Sequence, residues 1–263
     1  MLLRDFIAEC EMLWPVSGAE DWDAPGLVSG KLEAELKHVL LAVDVTEAVL
    51  DEALRLGANA IFAHHPLLLK GVNSVAESTP KGSLLARAIK NDVAIYSAHT
   101  NADIVVDGVS DVIARRLGLA NIEPLVATSP GVGHGRVGTL PASITIGALV
   151  EKLLLLLPST TRGISASASE DQLVHKIALC GGAGDSFISV ASASGADIFI
   201  TSDLRHHVTQ ESPIPLVDVS HWASESLWLE TAAAQLGSAC VDIEFTVSQC
   251  VTDPWIFNKG RTQ

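Results

Sequence analysis

The chain has 263 residues, 48% of them hydrophobic, and a formal net charge of −14; it can bury a substantial core, but it lacks the clustered Lys and Arg needed to displace counterions from a nucleic acid. The mean hydropathy of +0.34 comes from aliphatic residues spread along the chain, and the longest purely aliphatic run, Leu153 to Leu157, is far too short to cross a bilayer. Cys10, Cys180, Cys240 and Cys250 form no Cys-x-x-Cys pair, which argues against a zinc ribbon, a redox motif or a secreted disulfide framework.

Residues 1–14 mix Arg4, Asp5, Glu9 and Glu11 with apolar side chains. This is the pattern of an amphipathic helix rather than a signal peptide, and it places the protein in the cytoplasm. Pro25-Gly26 marks a turn in which Trp22 is expected to anchor packing, and a short strand follows around Val28. A buried strand over 39–45, a helix over 47–56 stopped by Gly57 and a strand over 60–63 make a βαβ unit ending on His64 and His65. A helix over 81–91 leads to a strand over 93–98 ending on His99, and a helix from Gly108 to Leu117 is closed by Gly118. The Gly-, Pro- and Ser-rich stretch 121–138 reads as a segment crossing between lobes. It precedes a helix over 144–157 and a strand over 176–180 that enters the turn Gly181 to Gly184. Amides in such a turn can hold an anion, although glycine-rich βα turns are commonly structural.

An internal repeat organises these elements. Residues 57–62 (GANAIF) reappear as 195–200 (GADIFI), and the strand ending at His99 is matched by Pro215 to Ser220 ending at His221. Three residues separate each of these histidines from an acid, Asp103 and Glu225, and Leu117-Gly118 and Leu236-Gly237 follow as helix ends. The expected fold is α/β, with two homologous lobes, 1–125 and 126–263, related by an approximate two-fold. The segment from about 215 would contribute metal ligands to a cleft between the lobes.

His64, His65, Asp103, His221 and Glu225 have the composition of a dinuclear metal site, because imidazoles offer a lone pair and a carboxylate can bridge two cations. Glu225 would lie one helical turn beyond His221 on the same face. Singly, each histidine reads as readily as a surface or hydrogen-bonded core residue; their joint placement at strand ends favours metal. His99 suits either a ligand or an orienting role. In Ser202 to His207, His206 and His207 are candidate proton shuttles, Arg205 a candidate partner for an anionic substrate, and Asp203 a candidate helix cap.

AEDWDAPGL at 19–27, DVT at 44–46, AHHPL, AHTNAD, GVSD, CGGAG, SDLRHH, VSHWASE and TDP at 252–254 together resemble the GTP cyclohydrolase I type 2 homologs, also called the Ngg-one-interacting-factor-three-like family. The resemblance runs nearly end to end. Ala24 stands where the family often has Asn, and Arg205-His206-His207 where it has Lys-Tyr-His; the chain leaves no room for the extra domain that some relatives insert. The resemblance implies that His65 and Asp103 hold one divalent ion and His64 and His221 the other, with Glu225 bridging. It also implies a toroidal homohexamer, a trimer of dimers with the metal sites facing an internal cavity.

The reading that follows is a metal-dependent hydrolase acting on a nucleotide-like or phosphoester substrate. In the cyclohydrolase version implied by the family name, hydroxide attacks the carbon between the imidazole nitrogens of guanine while His99, His206 or His207 moves protons. Ligand chemistry admits zinc, manganese, iron, cobalt or nickel. The competing class is a non-catalytic metal-binding or regulatory protein, since fold and ligation do not establish turnover.

Overall fold

The computed structural model describes residues 1–259. The chain folds into two units, one made of Met1–Ala102 with Leu229–Thr252 and the other of Asp103–Trp228 with the segment from Asp253. These bounds differ from the expected 1–125 and 126–263. The reason is a late strand, Glu244–Val247, that pairs in parallel with His38–Ala42 and so returns the chain to the unit in which it began.

The first unit carries helix α1 (Leu3–Leu13) and a five-stranded mixed sheet. Its strands are β1 (Gly26–Ser29), β2 (His38–Ala42), β3 (Ala60–Ala63), β4 (Ala94–Ser97) and the late strand, β11 in chain order, arranged β1-β4-β3-β2-β11. β1 runs antiparallel to β4 and the other pairs are parallel. Every residue of β2, β3 and β4 is buried, and apart from His38 and Ser97 at the strand ends they form the apolar runs expected of inner parallel strands. The caps set where each helix begins and ends. The Thr46 side chain accepts the Val49 amide to start α2 (Glu47–Leu56), and Gly57 stops it at a left-handed φ of 71°. Thr79 caps α3 (Pro80–Lys90), with Pro80 in its first turn. Phe62 packs its ring 5.2 Å from Trp14 and 5.9 Å from Tyr96; a buried aromatic of this kind contributes about 1.5–3 kcal/mol from area alone. Past β4 comes the single turn α4 (Thr100–Asp103).

The second unit contains α5 (Val109–Leu117), β5 (Ala120–Ser129), β6 (Val132–Thr145), α6 (Ile146–Leu156), β7 (Ser165–Ala166), β8 (Leu173–Ala183), α7 (Ile188–Ala193), β9 (Ile198–Ser202), α8 (His206–Gln210) and β10 (Leu216–Val219). The helix α9 (His221–Ala239) begins in this unit. The sheet order is β5-β6-β8-β9-β10-β7, with β8, β9 and β10 parallel. Residues 121–138 are therefore not a crossing segment. They belong to an antiparallel hairpin paired from Ala120↔Thr139 to Ser129↔Val132. Its glycines permit close backbone approach: at Gly133, with φ of 154°, a Cβ would lie 2.0 Å from the Val126 carbonyl oxygen.

The repeat is visible in the backbone. Gly57 and Gly195 both adopt left-handed φ, 71° and 74°, between a helix and an inner parallel strand, β3 in one unit and β9 in the other. The resemblance fails at Gly237, where a helix end was expected and α9 continues to Ala239. Among the described residues, no helix is long and apolar enough to cross a membrane.

Candidate metal centre

In the first unit, the ladder continues one step beyond β3, with the His64 amide donating to Ala42 O and that of His65 to Val43 O. The two rings therefore leave from the bend that ends the strand. His64 is fully buried and its Nδ1 donates to the Ala98 carbonyl at 2.9 Å. Nδ1 of His65 donates to Asp44 at 2.7 Å, and the other Asp44 oxygen accepts Thr252 Oγ1 at 2.5 Å. Nδ1 of His99 donates to Asp23 at 2.7 Å. Asp23 also accepts the Thr100 amide at 3.0 Å and its hydroxyl at 2.5 Å. Burial pushes the Asp23 carboxyl upward, but the hydrogen bonds from His99 and Thr100 outweigh it and hold the group well below the usual carboxylate range. The three rings have centroids 5.1–5.4 Å apart, and one ligand atom from each lies within 4.8 Å of the others.

In the second unit, β10 leads directly into α9, and His221 is the first residue of that helix. Its Nδ1 donates to Asp203 at 2.7 Å, while Nε2 lies 2.9 Å from Oε1 of the buried Glu225, one turn along. Asp203 does not cap α8 as expected: Arg205 is the N-cap and gives no side-chain cap. The hydrogen bond from His221 draws the Asp203 carboxyl below its ordinary value against the upward push of burial. Gly182 backs this pair. A Cβ there would lie 2.4 Å from Glu225 Oε1 and 3.3 Å from His221 Nε2, and the backbone is left-handed at φ 66°. The Gly181 and Gly182 amides donate to Ser110 and Ser224 hydroxyls at 3.1 and 3.0 Å. Gly181 and Gly182 lie in β8, which runs on to Ala183 past the turn expected at Gly181, and this glycine-rich strand end makes room for a carboxylate and commits those two amides internally. Nearby, burial pushes the Cys180 thiol up to about 12, which removes it as a thiolate nucleophile at neutral pH.

Asp103 closes α4 and is held through the residues after it. The buried Arg136 donates to Val105 O at 2.7 Å and Ile104 O at 3.3 Å, and pairs through Nε with Asp111 at 2.8 Å. It also donates to the carbonyls of Gly133 and Gly135, each at 2.7 Å. Asp111 in turn accepts Arg115 at 2.6 Å and the Asp107 amide at 3.0 Å. Nothing in that fork is left without an acceptor, so the segment following Asp103 is fixed by the interior of its own unit.

A model of the Duf34/NIF3 (NGG1p interacting factor 3) family matches residues 1–254. The chain belongs to the DUF34/NIF3 family. A relative of this DUF34/NIF3 protein in Streptomyces coelicolor, called GTP cyclohydrolase 1 type 2 homolog, is 41% identical over 96% of this chain and 93% of its own. One of the same name in Mycobacterium leprae is 31% identical over 98% and 96%. Among solved structures, a Bacillus cereus protein related to NIF3 superposes with a TM-score of 0.90 at 25% identity, over 98% of this chain and 99% of that one. Reduced HcgD from Methanocaldococcus jannaschii gives 0.80 at 27%, over 95% and 98%.

In this DUF34/NIF3 chain the structure brings His64, His65 and His99 together in one unit and His221 and Glu225 in the other. His206 and His207 lie on the exposed surface of α8, outside both groups. Arg205 is equally peripheral, with its charge paired to Asp185 at 2.8 Å. Trp22 is 60% exposed, meeting the His99 ring edge-on at 5.9 Å, and so is not the packing anchor expected of it. The acids that orient the rings, Asp23, Asp44 and Asp203, were not singled out for that role. A signal existed in the turn motif around Asp23 and in the DVT motif, where Thr46 and not Asp44 caps the helix that follows and the acid is left for another task. The Arg136 fork left no comparable trace, because one arginine in a hairpin looks like any surface cation.

Proposed function

We propose that this DUF34/NIF3 protein binds two divalent metal ions through His64, His65, Asp103, His221 and Glu225 and hydrolyses a small nucleotide-like or phosphoester substrate. The observation that carries this reading is the common use of Nδ1. His64, His65 and His221 each donate Nδ1–H to a fixed oxygen, from Ala98, Asp44 and Asp203. A carbonyl or carboxylate can only accept, so Nδ1 carries a proton in each ring; Nε2 is then the lone-pair atom of His64 and His65, as in metal-ligating histidines held by outer acceptors, while Nε2 of His221, 2.9 Å from Glu225 Oε1, shares a proton with that carboxylate until an ion displaces it. Histidines kept for packing have no need of the same device at three strand ends. The cradle at Gly182, which a Cβ would fill, gives Glu225 room to reach an ion.

Bound divalent ions would supply Lewis acidity toward a substrate oxygen or ring nitrogen; zinc, manganese, iron, cobalt and nickel all suit this donor set. The protein's own part is orientation and proton handling. Asp23 keeps the proton on Nδ1 of His99, so Nε2 of that ring accepts a proton from a reacting group, and the buried carboxylate stabilises the imidazolium that results. The name carried by the relatives makes GTP the first substrate to assay, and the homohexamer implied by the family resemblance belongs to the same reading.

Elemental analysis of protein never exposed to chelator should find close to two ions per chain, falling in His221→Ala and Glu225→Ala variants. Metal-loaded protein should then turn over GTP or a member of a phosphoester panel, with Glu225→Ala inactive. Turnover unaffected by that substitution, or absent for every substrate with each metal, refutes the hydrolase.

A further inference from the structure

Beside His221, within the second unit, Arg162, Asp218, Ser220, Pro254 and Trp255 line a small cleft of about 50 Å³, room for one compact anionic group rather than for a whole substrate. We propose that Arg162 is the anion-recognition residue of this cleft, receiving the phosphate or carboxylate group of a substrate whose reacting end lies at His221. The proposal rests on the reading of His221 as part of a metal centre, and it assigns to Arg162 the role that sequence reasoning gave to Arg205.

Three observations support it. Among the described residues lining the cleft, Arg162 is the only Lys or Arg. Its guanidinium lies 5.2 Å from the centre of the Trp255 ring, a stacked position that orients the cation. Its ionic partner is Asp218 at 3.8 Å, beyond hydrogen-bond distance, and the Arg162 side chain is half exposed. An incoming anion would therefore meet a forked donor whose bidentate geometry is still to be used.

The acids around the cleft do not cancel this charge equally. Asp203 is engaged by His221. Asp253 accepts the Ser220 hydroxyl at 2.5 Å and the Trp255 amide at 2.9 Å. Asp218 is the nearest competitor for Arg162, at 3.8 Å, and Asp203 acts on it through the field from farther off. The Asp253 contacts also set distance. Ser220 Oγ accepts the Ala223 amide at 3.2 Å and so caps the helix that begins with His221. One carboxylate thus braces both the indole beneath Arg162 and the start of α9, which registers an anion bound at Arg162 against His221.

Calorimetric titration with inorganic phosphate and with acetate tests this in metal-loaded and chelator-stripped full-length protein. Saturable binding of one or both anions is expected, and its preference decides between a phosphate and a carboxylate. Arg162→Ala should weaken binding at least tenfold in both forms, Arg162→Lys should be intermediate, and Asp218→Asn should tighten it several-fold. Equal affinities in wild type and Arg162→Ala, or no saturable binding of either anion, overturns the proposal. Elemental analysis of the same samples keeps the two readings apart. Protein that never held metal but loses anion binding on Arg162→Ala refutes the metal centre and leaves the role of Arg162 in place.

Discussion

Replacing Arg136 by Met removes a buried cation that makes five hydrogen bonds, to Asp111 and to the carbonyls of Ile104, Val105, Gly133 and Gly135. Breaking a buried ion pair costs about 3–5 kcal/mol when the partner is stranded. Asp111 is not stranded, because Arg115 and the Asp107 amide still reach it, so the lower end, about 3 kcal/mol, applies. The carbonyls of Gly133 and Gly135 lose a donor, while Ile104 keeps the Gly133 amide at 2.9 Å and Val105 the Gly108 amide at 3.1 Å; the two under-satisfied carbonyls add roughly 1 kcal/mol each. Packing the methionine in the vacated space returns about 1.5–3 kcal/mol. The expected net loss is about 2–3.5 kcal/mol, a large part of a typical stability of roughly 5–15 kcal/mol. Because the fork grips the residues just after Asp103, metal affinity should also fall by about 10–100-fold, the range seen when outer supports of ligands are removed. Urea titration followed by fluorescence measures the first effect and competition with a metal-binding dye the second. A stability change below about 1 kcal/mol together with unchanged metal affinity would refute the assignment of Arg136 as the support of Asp103.

The same network sets an acid response. Burial raises the Asp111 carboxyl, but the hydrogen bonds from Arg115 and Arg136 bring it below its ordinary value. Its contribution is therefore fully present above the unfolded carboxylate value of about 3.9 and is lost as pH falls through the lower folded value. The stability gap between wild type and Asp111→Asn, measured in urea at several pH values, should shrink on acidification; a constant gap would contradict the sign. Gly182→Ala should lower metal content, since its Cβ would fall on Glu225 Oε1, and elemental analysis showing full occupancy would count against the cradle. Asp23→Asn should keep the metal and reduce turnover by on the order of 10²-fold, the size of a general acid–base contribution. Loss of metal in step with activity would instead make His99 a ligand.

The parallel strands were legible because inner strands read as unbroken apolar runs and their helices carry explicit start and stop residues, such as Thr46 and Gly57. His64, His65, His221 and Glu225 were legible because strand ends and an i,i+4 spacing put donors at predictable places. The hairpin at 120–145 was not, since its glycines and prolines mimic a linker and their purpose, the close approach of two backbones, depends on a partner strand. The ring-orienting acids were hidden for a related reason: Asp23 and His99 stand 76 positions apart, and no local pattern announces a pairing at that separation. Arg162 and Trp255 share that difficulty, being joined only once the chain has folded.

The pairing of β11 with β2, Glu244 opposite His38 and Val247 opposite Leu41, has a consequence for biosynthesis. When a ribosome has delivered the stretch 103–228, the second unit has its whole sheet, but the first still lacks an edge. Closing that edge requires joining points about 200 residues apart, a slow and entropically costly contact. Nascent chains arrested before residue 244 should therefore protect the later-made sheet from protease while leaving the earlier-made one vulnerable, an order opposite to that in which the two began to emerge.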